Sequence, residues 1–164
     1  MAILKIRRLT DPSLPDPVLR QETKKVGQVD SAIQKLIDDM VDTMRDATGV
    51  GLAAPQIGQS LRIAVIEIPE AELLVLINPK IIRKEGSRVI EEACLSLPGF
   101  NGRVERSEKV EVEALDRRNR KITVVGEGLL AQALEHEIEH LDGILYTDHA
   151  IEVEPVTVLK SRQI

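Results

Sequence analysis

Two histidines four residues apart, His136 and His140, with Glu137 directly after the first, are the residues whose types and spacing best suit chemistry. On a helix they lie one turn apart on one face, where a divalent metal can take both imidazoles without distorting the backbone. Glu137 is then placed to handle protons on a metal-held water. The bland alternative is a solvated helix with incidental His and Glu, and the acidic residues Glu135, Glu137 and Glu139 favour it. Against it, Leu129, Ala133, His136 and His140 share one face by steps of four, three and four. An apolar face running into two histidines reads as a greasy pocket with a metal at one end.

A catalytic metal site needs a third protein ligand and keeps its fourth position for water. No His, Glu or Asp stands at the usual metalloprotease spacing after His140, and His149 reads as a surface residue beyond the helix. The alternative is Cys94, the single cysteine, in Glu91-Glu-Ala-Cys-Leu-Ser-Leu-Pro-Gly99. A lone cysteine is more commonly a buried small hydrophobe. That alternative weakens once two histidines need a partner. A third stretch, Gly49-Val-Gly-Leu-Ala-Ala-Pro-Gln-Ile-Gly58, puts two glycines where backbone can approach a ligand closely. Without a Gly-Lys-Ser/Thr ending it is no phosphate loop. Its Gln56 is either an amide donor to a developing oxyanion or part of a plain helix-to-strand connector.

The elements that must position these residues follow from periodicity. Residues 10–20, with Pro12, Pro15 and Pro17, predict an extended, turn-rich entry. Asp30 or Ser31 caps a helix over 31–46, where Ile33, Leu36, Ile37, Met40, Val41 and Met44 repeat at helical spacing. Strands are expected over Arg62–Ile68 and Leu73–Ile77, the second broken by Asn78-Pro79. Two more are expected over Lys80–Lys84 and Arg88–Glu92, around Glu85-Gly86. Val110–Leu115 and Lys121–Val125 form a hairpin turning at Asp116–Arg120. Gly126 or Gly128 opens the histidine-bearing helix, and Gly143 lies past its end. The class is α+β: mainly antiparallel β-sheets around a central metal-binding helix, with an N-terminal amphipathic helix.

Composition sets outer bounds. The 164 residues, 43% hydrophobic and 30% charged, suit one domain over 1–164 with a proper core. Phe100 and Tyr146 are the only aromatics, so the core is aliphatic and base-stacking platforms are missing. A net charge of −5 leaves no basic footprint for nucleic acid or anionic membrane. No stretch reaches transmembrane length, and the first eight residues read as neither signal nor full transit peptide. A cytoplasmic location suits a reduced Cys94.

Taken together and in this order, the three stretches resemble the peptide deformylase family. Its motifs are Gly-x-Gly-Leu-Ala-Ala-x-Gln, Glu-Gly-Cys-Leu-Ser and Gln-His-Glu-x-x-His. They stand here as Gly49-Val-Gly-Leu-Ala-Ala-Pro-Gln56, Glu92-Ala-Cys-Leu-Ser96 and Glu135-His-Glu-Ile-Glu-His140. The Asp16-Pro-Val-Leu-Arg20 entry and the 31–46 helix are also similar to the family. Ala93 stands where the family usually has glycine, and Glu135 where it has glutamine.

The resemblance implies a metallohydrolase that removes the formyl group from N-formylmethionyl nascent peptides, releasing formate. It implies Cys94, His136 and His140 as ligands of one divalent metal, usually Fe2+, with Zn2+ or Ni2+ able to substitute. Glu137 becomes the general base, and the Gln56 amide and the Leu95 N–H become oxyanion donors. Val50, Gly51 and the Ala93 region would pair with the peptide backbone, and the methionine side chain would lie beside Leu129 and Ala133. A bacterial-type cytoplasm is the implied location. A transient ribosome contact is the other implied partner, although Glu152–Ile164 carries no basic amphipathic helix to make it. The rivals are a metallopeptidase, an inactive metal- or peptide-binding homologue, and an enzyme for another N-acyl group.

Overall fold

The computed structural model describes residues 2–156 and 163–164. Helix α1 spans Ser31–Asp46, and the Asp30 carboxylate accepts the Ile33 N–H at 2.9 Å as its N-cap. The expected stripe is the one that packs: Ile37, Met40, Val41 and Met44 are buried. Seven strands follow: β1 (Gly51–Ala53), β2 (Ile63–Ile66), β3 (Leu74–Glu85), β4 (Arg88–Glu92), β5 (Phe100–Arg106), β6 (Lys109–Leu115) and β7 (Lys121–Glu127). Helix α2 (Gly128–Leu141), strand β8 (Glu152–Pro155) and two short 3-10 turns, Ala54–Ile57 and Tyr146–Asp148, complete the described elements.

One antiparallel sheet has the order β1-β2-β3-β6-β7, and a smaller one the order β4-β5-β8. Helix α2 touches β1, β2, β3, β6 and β7 of the first sheet and β5 of the second, so the His-Glu-x-x-His motif runs between them. Its inner face closes a cluster with Ile66, Leu76, Val110 and Val112. A second cluster joins α1 to β2 and β3. A third gathers Leu9, Leu19, Cys94, Leu97, Val104 and Tyr146 beside the smaller sheet.

The α+β class, helix 31–46 and the 110–125 hairpin are as expected, and the strand expectations need correction in two respects. Asn78-Pro79 does not end a strand: β3 continues through it with a register shift between Ile77 and Lys80. Asn78 takes φ 53°, and its side chain accepts the Val26 N–H at 2.8 Å and donates to the Val26 carbonyl at 2.9 Å. The local turn chemistry is therefore absorbed as a bulge by a contact 52 residues away. Strand segments form on both sides of Glu85-Gly86 as expected, β3 in the larger sheet and β4 in the smaller one. Strands β1, β5 and β8 were not expected. The expected lack of a basic amphipathic helix over 152–164 lies, for residues 157–162, outside the described residues.

Helix α2 ends in a Schellman arrangement. The Gly143 N–H donates to the His140 carbonyl at 3.1 Å and the Ile144 N–H to the Glu139 carbonyl at 2.9 Å. Gly143 sits at φ 76°, and a Cβ there would run into the Arg20 backbone, so only glycine fits. The end of the helix that carries His140 is thereby fixed against the entry segment.

Candidate metal centre

Cys94 follows β4 by two residues and meets α2 from the side. Its Sγ lies 3.3 Å from His140 Nε2, which lies 3.1 Å from His136 Nε2. All three ligand atoms fall within 4.8 Å of one another, and all three residues are buried. Thiolate and imidazole donors suit several first-row metals.

Sequence reading missed the residues that orient this cluster. Glu92, wholly buried, takes the Nδ1 side of His136 at 2.7 Å. Arg106, also buried, donates through Nε to Glu92 at 2.9 Å and through a terminal nitrogen at 2.5 Å. Its other terminal nitrogen reaches Glu139 at 2.9 Å. Burial alone would raise the Glu92 carboxyl, but His136 and Arg106 outweigh it and hold the group well below the usual carboxylate range. An ionised Glu92 only accepts, so Nδ1 of His136 carries a proton, and Nε2 is the atom that faces the cluster. Burial alone would lower His136, but Glu92 and Cys94 outweigh it and hold the imidazole well above its ordinary value; a bound metal would displace the Nε2 proton. Burial and the charge on the neighbouring His136 hold His140 well below the ordinary imidazole value, so His140 is neutral. Glu92 is visible in the sequence only as a motif letter. Arg106 has no local signal at all.

Glu137 is fully buried, and neither carboxylate oxygen has a protein hydrogen-bond partner. Burial pushes its carboxyl up to about 7. A buried carboxylate without donors is costly, and a water on a metal held by the neighbouring Cys–His–His cluster would satisfy it. The donors present therefore fit a divalent metal. Gly51 explains how the carboxylate is seated, because a Cβ at Gly51 would collide with it.

Gln56 lies in a short 3-10 turn, Ala54–Ile57. Its Oε1 accepts the Ala53 N–H at 2.9 Å, which turns the amide NH2 toward Ser96 Oγ at 3.1 Å and Cys94 Sγ at 3.7 Å. The N-terminal segment ties the two loops together: the Arg7 N–H donates to the Gln56 carbonyl at 2.7 Å, and the Leu9 N–H to the Ser96 carbonyl at 2.8 Å. Val50, Ala93, Leu95 and Ala133 are buried, and Leu129 is half-buried one turn from Ala133. His149 is exposed, as expected, and pairs with Glu139.

The solvated-helix alternative fails on its own acidic residues. Glu135 is buried, accepts the Ser107 N–H at 2.6 Å and pairs with Lys84 at 3.3 Å. It faces neither the cluster nor open solvent.

A His-Glu-x-x-His helix clasped between antiparallel sheets, with a cysteine from a neighbouring loop at the histidines, defines a metal-dependent hydrolase. A family model described as polypeptide deformylase matches residues 11–156. A peptide deformylase from Dehalococcoides mccartyi is 54% identical over 145 residues, covering 88% of this chain and 86% of that protein. A crystal structure of a peptide deformylase from Legionella pneumophila superposes with a TM-score of 0.84 at 50% identity, over 90% of this chain and 85% of that one. One from Synechococcus elongatus, solved in complex with actinonin, gives 0.81 at 42% identity, over 93% and 87%. The chain belongs to the polypeptide deformylase family. It is an enzyme that removes the N-terminal formyl group from newly synthesised polypeptides, releasing formate.

Proposed function

We propose that Cys94, His136 and His140 hold one divalent ion, Fe2+ in the first place, with Zn2+ or Ni2+ able to take the same donors. The observation that carries this reading is the convergence of Cys94 Sγ and the two Nε2 atoms, at 3.3 and 3.1 Å. When bound, the metal supplies the Lewis acidity that makes water a nucleophile at neutral pH.

Glu137 takes the proton of that water and passes it to the leaving amine. The Gln56 amide, turned by its bond from Ala53, and the Leu95 N–H donate to the oxyanion. Val50, Gly51 and Ala93 offer backbone groups to an extended formyl-methionyl peptide, in the manner of an added strand. Leu129 and Ala133, on one face of α2, border the space for the methionine side chain.

The chain acts over 1–164 as one catalytic domain in a bacterial-type cytoplasm, meeting formylated nascent peptides with at most a transient ribosome contact. The net charge of −5 supports a role without nucleic acid or membrane surface. No helix of the described residues is long and apolar enough to cross a membrane.

Elemental analysis of the purified protein tests the ligand set. One metal per chain is expected, and Cys94→Ala should empty the site. Full occupancy in Cys94→Ala would exclude cysteine ligation.

A further inference from the structure

Gln163 and Ile164 lie far along the chain from the loops they touch. The Val50 N–H donates to the Gln163 carbonyl at 3.2 Å. The Ile164 N–H donates to the Ala93 carbonyl at 3.0 Å, and the Leu95 N–H donates to the Ile164 carbonyl at 3.3 Å. Ala93 and Gln163 form a parallel bridge. The two residues thus stitch the entry to β1, in the larger sheet, to the loop after β4, in the smaller one. The Ile164 side chain is fully buried, in the cluster that holds Val50, Ala133, Leu134 and Ile138.

These are the groups of an extended peptide site. Val50 and Ala93 present backbone partners on either side, Leu95 offers its N–H, and the Ala133 face of α2 takes an apolar side chain. We propose that Gln163–Ile164 is an internal ligand of the substrate cleft, which an incoming formyl peptide must displace. The inference rests on the assignment of Val50, Ala93 and Leu95 to substrate binding made above.

With the segment in place, the Leu95 N–H is committed to Ile164 and the apolar space is filled by an aliphatic side chain. Six residues, 157–162, separate Gln163 from Val156, whose N–H is bonded to the Gly99 carbonyl at 2.8 Å. Gln163 and Ile164 belong to the same chain as the loops they touch, so the docking is intramolecular and needs no second molecule. A cleft occupied most of the time lowers the apparent affinity for substrate by the free fraction and leaves the chemical step untouched.

The test uses the metal-loaded full chain and two variants. Ile164→Asp puts a charge into the apolar cluster, and Ile164→Pro removes the N–H given to Ala93. Both should lower KM for a formyl-Met-Ala peptide by roughly ten-fold with kcat unchanged. In the wild-type protein, methyl NMR should show contacts from Ile164 to Val50 and Ala133, and saturating peptide should abolish them. An unchanged KM in both variants would overturn the proposal, as would Ile164 methyls lacking those contacts in peptide-free protein. The two readings fail separately. Persistent Ile164 contacts that the peptide abolishes, in a protein releasing no formate, would sustain the docking and count against the catalytic assignment.

Discussion

His136 Nδ1 and the Glu92 carboxylate lie 2.7 Å apart, with both side chains closed off from water. The carboxylate fixes which face of the imidazole points at Cys94 and His140, and Arg106 keeps that carboxylate ionised. Removing Glu92 leaves a guanidinium buried and short of its partner. Glu92→Ala should therefore cost about 3–5 kcal/mol in stability. Metal affinity should fall by roughly 10-fold to 100-fold, as for other second-layer partners of ligating histidines. Chemical denaturation and titration against a metal-buffering chelator check the two effects. Unchanged affinity would mean that His136 does not need Glu92 for its orientation.

Gly51 and Glu137 set the position of the general base. A methyl group at 51 has no room beside the carboxylate, so Gly51→Ala should move Glu137 off its line to the reacting centre. A shift of about 1 Å can cost roughly 10²-fold in rate. The expected result is a loss of that size in kcat with metal content retained, and near-normal kcat would show that Glu137 tolerates the shift.

Asp16 anchors the entry segment that steadies both active loops. Burial tends to raise its carboxyl, but the N–H groups of Leu19 and Val18 and the Arg7 guanidinium outweigh that and hold it below the ordinary value. The folded group is thus more acidic than the unfolded one, whose pKa is about 3.9. Its stabilising contribution is complete above that value and is lost as pH falls through the lower folded pKa. The stability gap between wild type and Asp16→Asn should be clear at pH 7 and shrink on acidification to about pH 3. Urea denaturation at both pH values measures it. A gap independent of pH would mean that the charge of Asp16 contributes nothing.

Much of this site was legible because its signals are local. The α1 stripe from Ile33 to Met44, the 110–125 hairpin and the His136/His140 spacing are set by neighbours a few residues apart. Cys94 was legible only by need, as the donor left once two histidines wanted a third. What stayed hidden depends on contacts across the chain. Asn78-Pro79 reads as a break, yet Val26 satisfies the asparagine and the sheet runs on. Strand β5 escapes because Asn101, Gly102 and Arg106 interrupt its alternation, although all three are buried in the fold. Glu135 looks like a solvated charge until the Ser107 N–H is placed against it. The Arg106–Glu92 pair joins residues 14 apart with no shared motif.

The central claim is that Glu137 moves the proton in a metal-dependent deformylation. Formate release from a formyl-Met-Ala peptide by metal-replete protein, compared with Glu137→Ala, tests it most directly. The account predicts release by the wild-type protein and a loss of roughly 10²-fold to 10⁴-fold in the variant, with the metal still bound. Near-normal turnover in Glu137→Ala, with full metal content, would contradict it.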